Sequence, residues 1–385
     1  MSEVGVSGYR QDASISSMLA ERIAAGDFPS AVYAVAERGR IRFAGALGEA
    51  VREPSPLPAT LETIYDLASL TKPLVTGLLS AIFVERGQLE LERSVSHYLP
   101  EFAREDKRSI TVRQLLTHTS GLPAWRPLYL STGGERERVL DVIAAEPLDA
   151  TPGTRVTYSD LGFITLGFLL TRLGGETIDR LARREIFEPL DLRRTFFNPE
   201  RALQTGIAAC ESAGNAYERE TCREAGEQID PQSFRTSLIW GEVHDGNAFF
   251  LGGAAGHAGL FSDARDTLRI ARQFLAETTE LLAPETCALF RTNMTEGLEE
   301  SRSLAWQLAS TKDSTASAAL SPESFGHLGF TGTSCWLDPV RQRIFILLTN
   351  RTHARALPFV NINSVRRSFH TLAVSALENF PVEER

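Results

Sequence analysis

Ser69 and Lys72 stand three residues apart in Ala68-Ser69-Leu70-Thr71-Lys72-Pro73, setting a hydroxyl beside a primary amine. A Ser-x-x-Lys pair puts a nucleophile next to a group able to take its proton. The choice of lysine is informative, because only three of the 40 basic residues are lysines. A desolvated ammonium can lose its proton, whereas a guanidinium stays charged. The other two, Lys107 and Lys312, lie in the polar runs Arg104-Glu105-Asp106-Lys107-Arg108 and Ser310-Thr311-Lys312-Asp313 and read as solvated surface.

Two later segments carry further candidate chemistry. Tyr158-Ser159-Asp160 follows the turn-rich Pro152-Gly153-Thr154. A phenol beside an ammonium has its pKa lowered and can act as general base or acid. The plainer alternative is a tyrosine that packs its ring and makes one hydrogen bond. Gly326-His327-Leu328-Gly329-Phe330-Thr331-Gly332-Thr333 reads as the opening of a strand, with glycines that let backbone approach a ligand. The plainer alternative there is an edge strand with a glycine bulge.

Elements must hold these groups together. Leu74, Val75, Leu78, Leu79, Ile82 and Phe83 have helical spacing, Pro73 fits a first turn, and Gly87 marks an end. Ser69 and Lys72 then share one helix face. An amphipathic helix is expected near Ile15 to Ala25. A hairpin is expected from Ala31–Ala36 and Ile41–Ala44, with strands at Ser334–Leu337 and Ile344–Leu348 and a helix over about 361–377. Ile164–Leu173 reads as a buried helix, and residues 111–276 as mostly helical. The fold expected is α/β: one antiparallel sheet built from both chain ends, helices on its faces, and an inserted helical lobe. One catalytic domain would span 1–385, its α/β lobe over about 10–85 and 265–385 and its helical lobe over about 86–264.

Composition narrows the function. The net charge of −9 with no basic cluster argues against nucleic acid, and no apolar run approaches the roughly 20 residues that span a bilayer. Met1-Ser2-Glu3-Val4-Gly5 lacks the pattern of an export signal. The expectation is a cytoplasmic protein, or a periplasmic one if a signal has been removed. Cys210, Cys222, Cys287 and Cys335 show no C-x-x-C or zinc-ligand spacing. They read as free thiols, with a Cys210–Cys222 bridge the alternative in an oxidising compartment. Neither metal nor cofactor is expected.

In their order and separation the three segments resemble the serine β-lactamase and penicillin-binding-protein superfamily, with its S-x-x-K, Y-x-N (or S-x-N) and K-T-G (or H-x-G) motifs. The resemblance extends through Leu115-Leu116-Thr117-His118-Thr119-Ser120-Gly121-Leu122-Pro123, Ile186-Phe187-Glu188-Pro189-Leu190 and Gly252-Gly253-Ala254-Ala255-Gly256-His257-Ala258-Gly259-Leu260-Phe261. It is strongest toward class C β-lactamases, D,D-peptidases and related carboxylesterases. It implies Ser69 as the acylated nucleophile, Lys72 as its proton partner and Tyr158 as the base. Backbone N–H groups of Ser69 and Phe330 would form the oxyanion hole, with Gly329, His327 and Asp160 at the substrate.

His327 stands where the third motif often has lysine, and Asp160 where the second usually has asparagine. A neutral His327 would hold a substrate carboxylate less strongly than lysine. Asp160 is read either as an ion pair that positions Lys72 or as a substrate-selecting charge. His257 is either a further acid or base or an anchor for its loop, and His118 is expected to pack structurally. Trp125, Trp240 and Trp306 are candidates for an acyl pocket, with core packing the alternative. The expected activity is metal-free acyl transfer through Ser69 on a small-molecule or peptide ester, amide or β-lactam, esterase-like or D,D-peptidase-like before class C β-lactamase. A non-catalytic sensor or assembly unit is the rival from another class, and oligomeric state is left open.

Overall fold

The computed structural model describes residues 9–380, and Met1-Ser2-Glu3-Val4-Gly5 lies outside the described residues. In chain order the strands are β1 (Ser30–Glu37), β2 (Arg40–Val51), β3 (Leu57–Pro58), β4 (Tyr65–Asp66), β5 (Phe261–Ser262), β6 (Gln307–Leu308), β7 (Phe325–Leu328), β8 (Ser334–Asp338) and β9 (Arg343–Thr349). Seven of them form one antiparallel sheet in the order β3-β2-β1-β9-β8-β7-β6, while β4 and β5 pair separately. Both chain ends therefore meet at the centre, where Tyr33 of β1 faces Leu347 of β9 and Ala34 faces Ile346.

Every residue of β1 and β9 is buried, because both faces of the sheet are covered. Side chains alternate between the two layers. Tyr33, Val35, Phe345, Leu347 and Trp336 point to a core shared with the helices Ala13–Ala24 and Asn363–Glu378. Val32, Ala34, Ile344, Ile346 and Leu337 point to the larger core on the other face, against the helical stretch Ala68–Glu85. Asp12 caps the first helix, accepting from the amides of Ser14 and Ile15. The sheet, its strands and its flanking helices match the α/β architecture expected of the sequence.

Two local expectations and one alternative need correction. Lys107 is buried, 1% exposed, with its ammonium 2.6 Å from Asp106. The tight turn in which the Lys107 amide donates to the Arg104 carbonyl folds its stem inward. The segment from Gly326 does not open an edge strand: β7 lies between β6 and β8, and the second half of the segment is the turn that leads into β8. Ala68–Glu85 is long and apolar enough to cross a bilayer by length and composition, yet 83% of it is buried within the protein, as a core helix is. All four cysteines are buried free thiols, Cys210 and Cys222 included. Trp306 and Trp240 pack in cores, and only Trp125 of the three tryptophans lines the cavity described next.

Candidate active site

The nucleophile candidate sits on a strained turn. Ala68 has φ +47°, a left-handed conformation that costs a non-glycine residue about 1–3 kcal/mol. Two bonds hold it there: its amide donates to Asp66 Oδ1 (2.8 Å) and its carbonyl accepts from Thr71 Oγ1 (2.7 Å). The helical turn that follows, Lys72–Gly77, is widened to π geometry, a feature common at functional sites. Lys72 is fully buried, and its ammonium donates to Ser69 Oγ at 3.0 Å and to the His257 carbonyl at 3.2 Å.

Asp160 completes the ammonium's surroundings, with Oδ1 2.6 Å from Lys72 Nζ. It begins the helix Asp160–Gly174, whose N-cap Ser159 accepts from the Gly162 amide at 3.1 Å. Burial alone pushes Lys72 toward losing its proton, but Asp160 and then Tyr158 outweigh it, and the pKa moves up from the ordinary lysine value. Tyr158 behaves in the opposite sense to the sequence expectation. Burial raises its pKa, Asp160 adds to the rise, and the opposing pull of Lys72 is too weak to reverse the sign. The resting site thus holds a Lys72 ammonium, 4.9 Å from the Tyr158 ring centre, and a neutral phenol.

His118 supports this arrangement from behind. Its Nδ1 accepts from the Ser159 amide at 2.9 Å, and its ring lies 4.5 Å from that of Tyr158 and 4.9 Å from that of Phe163. Burial, with Arg302 and Lys72 nearby, keeps it neutral. His257 is an anchor in this geometry: its Nε2 lies 2.9 Å from Asp245 Oδ1, and its carbonyl receives Lys72. Its loop needs glycine at 256, where a Cβ would stand 2.1 Å from the Phe163 carbonyl oxygen.

The third segment crosses in front of Ser69. Thr331 Oγ1 donates to the Asp66 carbonyl (2.7 Å) and Thr333 Oγ1 to that of Leu67 (3.0 Å), tying the turn after β7 to the stretch that leads into Ser69. A Cβ at Gly329 would stand 2.5 Å from the Leu67 oxygen, so only glycine allows this approach. Arg366 donates to the Gly329 and Thr333 carbonyls, each at 3.0 Å, and fixes the turn from the other side. The backbone amides of Ser69 and Phe330 have no intramolecular acceptor among the described residues. His327 Nδ1 lies 2.8 Å from the Leu328 carbonyl, so Nδ1 carries the proton and Nε2, which has no partner, is an acceptor. Burial, then Lys72 and Arg302, hold this imidazole well below the ordinary histidine value.

Ser69, Tyr158, Asp160, His327, Gly329 and Phe330 all line one cavity of about 510 Å³, and Lys72 reaches Ser69 from beneath its floor. Sequence reasoning missed other residues of this cavity. Arg302 is 5% exposed, lies 5.4 Å from the Tyr158 ring centre, pairs one nitrogen with Glu300 and leaves Nε and Nη1 without partners. Tyr217, Glu218, His244 and Asp245 form a further wall. No local spacing marks any of them.

The family model named Beta-lactamase matches residues 15–363. A protein named putative D-alanyl-D-alanine carboxypeptidase from Escherichia coli K12 is 32% identical over 324 residues, covering 78% of this chain and 71% of the relative. Among solved structures, EstCE1, described as a hydrolase with promiscuous acyltransferase activity, superposes with a TM-score of 0.72 at 23% identity, covering 92% of this chain and 97% of its own. A class C β-lactamase superposes equally well, 0.72 at 15% identity, covering 94% and 97%. These two likenesses concern the fold. The extent of the family match, together with the relative from Escherichia coli, means that this chain belongs to the β-lactamase family and shares the fold of its hydrolases.

Proposed function

We propose that the protein is a serine acyl hydrolase of D,D-carboxypeptidase type, acting on a short peptide that ends in a free carboxylate. The observation that carries the reading is the Lys72 ammonium, 3.0 Å from Ser69 Oγ on the floor of the cavity. The reacting form has lost one proton from the Lys72–Tyr158 couple. Ser69 Oγ bonds to the carbonyl carbon while that couple takes its proton, and the amides of Ser69 and Phe330 receive the oxyanion. The couple returns the proton to the leaving nitrogen as the C–N bond breaks. Water then repeats the sequence on the acyl-enzyme, and the acid leaves.

Arg302 supports a carboxylate on the leaving side. Its free guanidinium nitrogens supply, beside Tyr158, the charge that His327 lacks. A carboxylesterase is the second reading, supported by the neutral His327 at the third motif. Ser69→Ala decides whether this site does the chemistry. D-alanine release from a peptide ending in D-alanyl-D-alanine falls at least about 10³-fold in the variant, and incubation with a penicillin adds an acyl mass to the wild type only. Equal release, or an adduct on both proteins, would remove Ser69 from the mechanism. Hydrolysis of simple esters with no release from the peptide would select the esterase.

A further inference from the structure

On the Tyr158 side of the cavity, two buried side chains carry polar atoms without a partner among the described residues. His327 is 4% exposed and Arg302 5%, and both line the cavity. They come together at the β6 edge of the sheet, where Gln307 pairs with Gly326, the neighbour of His327, and bridges to Arg302. The His327 ring centre lies 5.7 Å from that of Tyr158, and the Arg302 guanidinium carbon 5.4 Å from the same ring. Glu300 Oε1 accepts from Arg302 Nη2 at 2.8 Å and from Gln307 Nε2 at 2.5 Å. That holds the guanidinium in place and leaves its Nε and Nη1 without acceptors.

The two groups have opposite needs. His327 Nδ1 donates to the Leu328 carbonyl, so Nε2 is a bare acceptor. Burial, with Lys72 and Arg302 nearby, keeps that nitrogen from taking a proton of its own. Arg302 Nε and Nη1 are bare donors. Buried polar groups are normally paired, because an unpaired one has lost its water for nothing. Yet these two do not satisfy each other, and Lys72, whose charge reaches His327, is taken up by Ser69, the His257 carbonyl and Asp160. One ligand satisfies both when it offers a hydrogen-bond donor to His327 and an acceptor to Arg302. A charged acceptor makes the stronger bond to a guanidinium.

The Lys72–Tyr158 couple returns its proton to the leaving nitrogen in the mechanism above, so the leaving group lies on this side of the cavity. An α-amino acid joined through its nitrogen carries an N–H and a carboxylate on one carbon, the pair that His327 and Arg302 require. With its N–H on His327 Nε2, the nitrogen keeps its developing lone pair for the couple. An ester oxygen in the same place has no hydrogen and sets its lone pairs against that of Nε2. A site built to bond an N–H or O–H rejects the analogue that lacks it, because its own buried group is then left unpaired.

We propose that His327 selects the leaving group: its Nε2 accepts the N–H of the scissile amide while Arg302 binds the carboxylate of the same residue, so that peptides are bound in preference to the corresponding esters. The inference rests on the peptidase reading above and sets it apart from the esterase one. Ser69→Ala, which lacks the nucleophile, is titrated calorimetrically with two ligands. One is N-acetyl-alanyl-D-alanyl-D-alanine, and the other is the depsipeptide ending in D-lactate, which differs only in having oxygen for the N–H. The peptide is expected to bind at least about tenfold more tightly, and the ratio to fall toward unity when His327→Leu is added to Ser69→Ala. A ratio of one or less in Ser69→Ala overturns the proposal without touching His327, as does an undiminished ratio in the folded double variant, or binding of neither ligand. D-alanine release from the same peptide by the wild type reports separately on the reading beneath. Release together with equal binding removes the N–H contact and leaves the peptidase standing, whereas a tenfold ratio without release keeps the contact and removes the peptidase.

Discussion

On the wall that carries Lys72, Tyr158 and Asp160, the buried cation meets a carboxylate at 2.6 Å and a hydroxyl at 3.0 Å. On the wall that carries Glu218 and Asp245, Asp245 meets His257 at 2.9 Å, whereas Glu218 is held by the Gly246 amide and the Tyr129 hydroxyl. Around Lys72 the first wall is ion-paired, while Arg302 beside Tyr158 leaves two guanidinium nitrogens without partners. The second instead carries a buried carboxylate, Glu218, with no ion pair among the described residues. Within one cavity, buried carboxylates are thus held in two ways, by a lysine ammonium at Asp160 and by neutral donors at Glu218.

The contrast breaks most sharply at Lys72. Lys72→Arg keeps the cation and its attraction to Asp160 but removes the amine of the Lys72–Tyr158 couple, which a permanently charged guanidinium cannot replace in cycling a proton. Turnover is expected to fall at least about 10²-fold, with substrate affinity little changed, as read by steady-state kinetics on the D-alanyl-D-alanine peptide. Retention of most activity would mean that Lys72 acts as a fixed charge, and that both walls are electrostatic only.

Asp160→Asn gives a smaller effect that opens the closed wall. Burial then acts on Lys72 without its main opponent, so the lysine pKa falls, and the phenol falls with it because Asp160 raised that group too. The rising limb of kcat/KM against pH moves to lower pH. Stability at neutral pH falls by about 3 kcal/mol, since a buried pair has lost one member. A limb that stays in place, measured alongside urea unfolding, would show that Asp160 does not set the protonation of the couple.

How far each wall could be read in the sequence follows from the same difference. Ser69, Lys72 and the helix that holds them lie within one run of local periodicity, and Tyr158, Asp160 and His327 carry motif spacings. The central strands β1, β8 and β9 were legible because continuous apolar runs mark strands covered on both faces. The sign of the Tyr158 shift was not legible, because it depends on burial and on Asp160 acting together. Lys107 was misread for a similar reason, since a polar run says nothing of which way its turn folds. Arg302, Glu218 and Asp245 are single members of large classes, 40 basic and 49 acidic residues. Their roles come from pairings between distant elements, or from the lack of them. The placement of β7 inside the sheet was hidden because its outer neighbour, β6, is only two residues long.

The smallest effect tests how Glu218 is held in the fold. A carboxyl raised in the folded state from its ordinary value of 4.5 to about 7 binds its proton more tightly folded than unfolded. Its contribution to stability is therefore complete below about pH 4.5 and is lost as pH rises through 7. Asp245 faces Glu218 and runs the other way: burial raises its carboxyl but His257 outweighs it, so its contribution is present above the ordinary aspartate range and lost as pH falls further into acid. His244 is raised despite burial, chiefly by Glu211, and its contribution disappears above its own range. Between pH 5 and 8, Glu218 and His244 thus both weaken the fold as pH rises. Glu218→Gln removes only the first, so thermal unfolding of the variant should decline less across this window than that of the wild type, by on the order of 2 kcal/mol. Parallel decline of the two proteins would mean that charge within the fold already offsets the burial of Glu218, as Asp160 offsets that of Lys72.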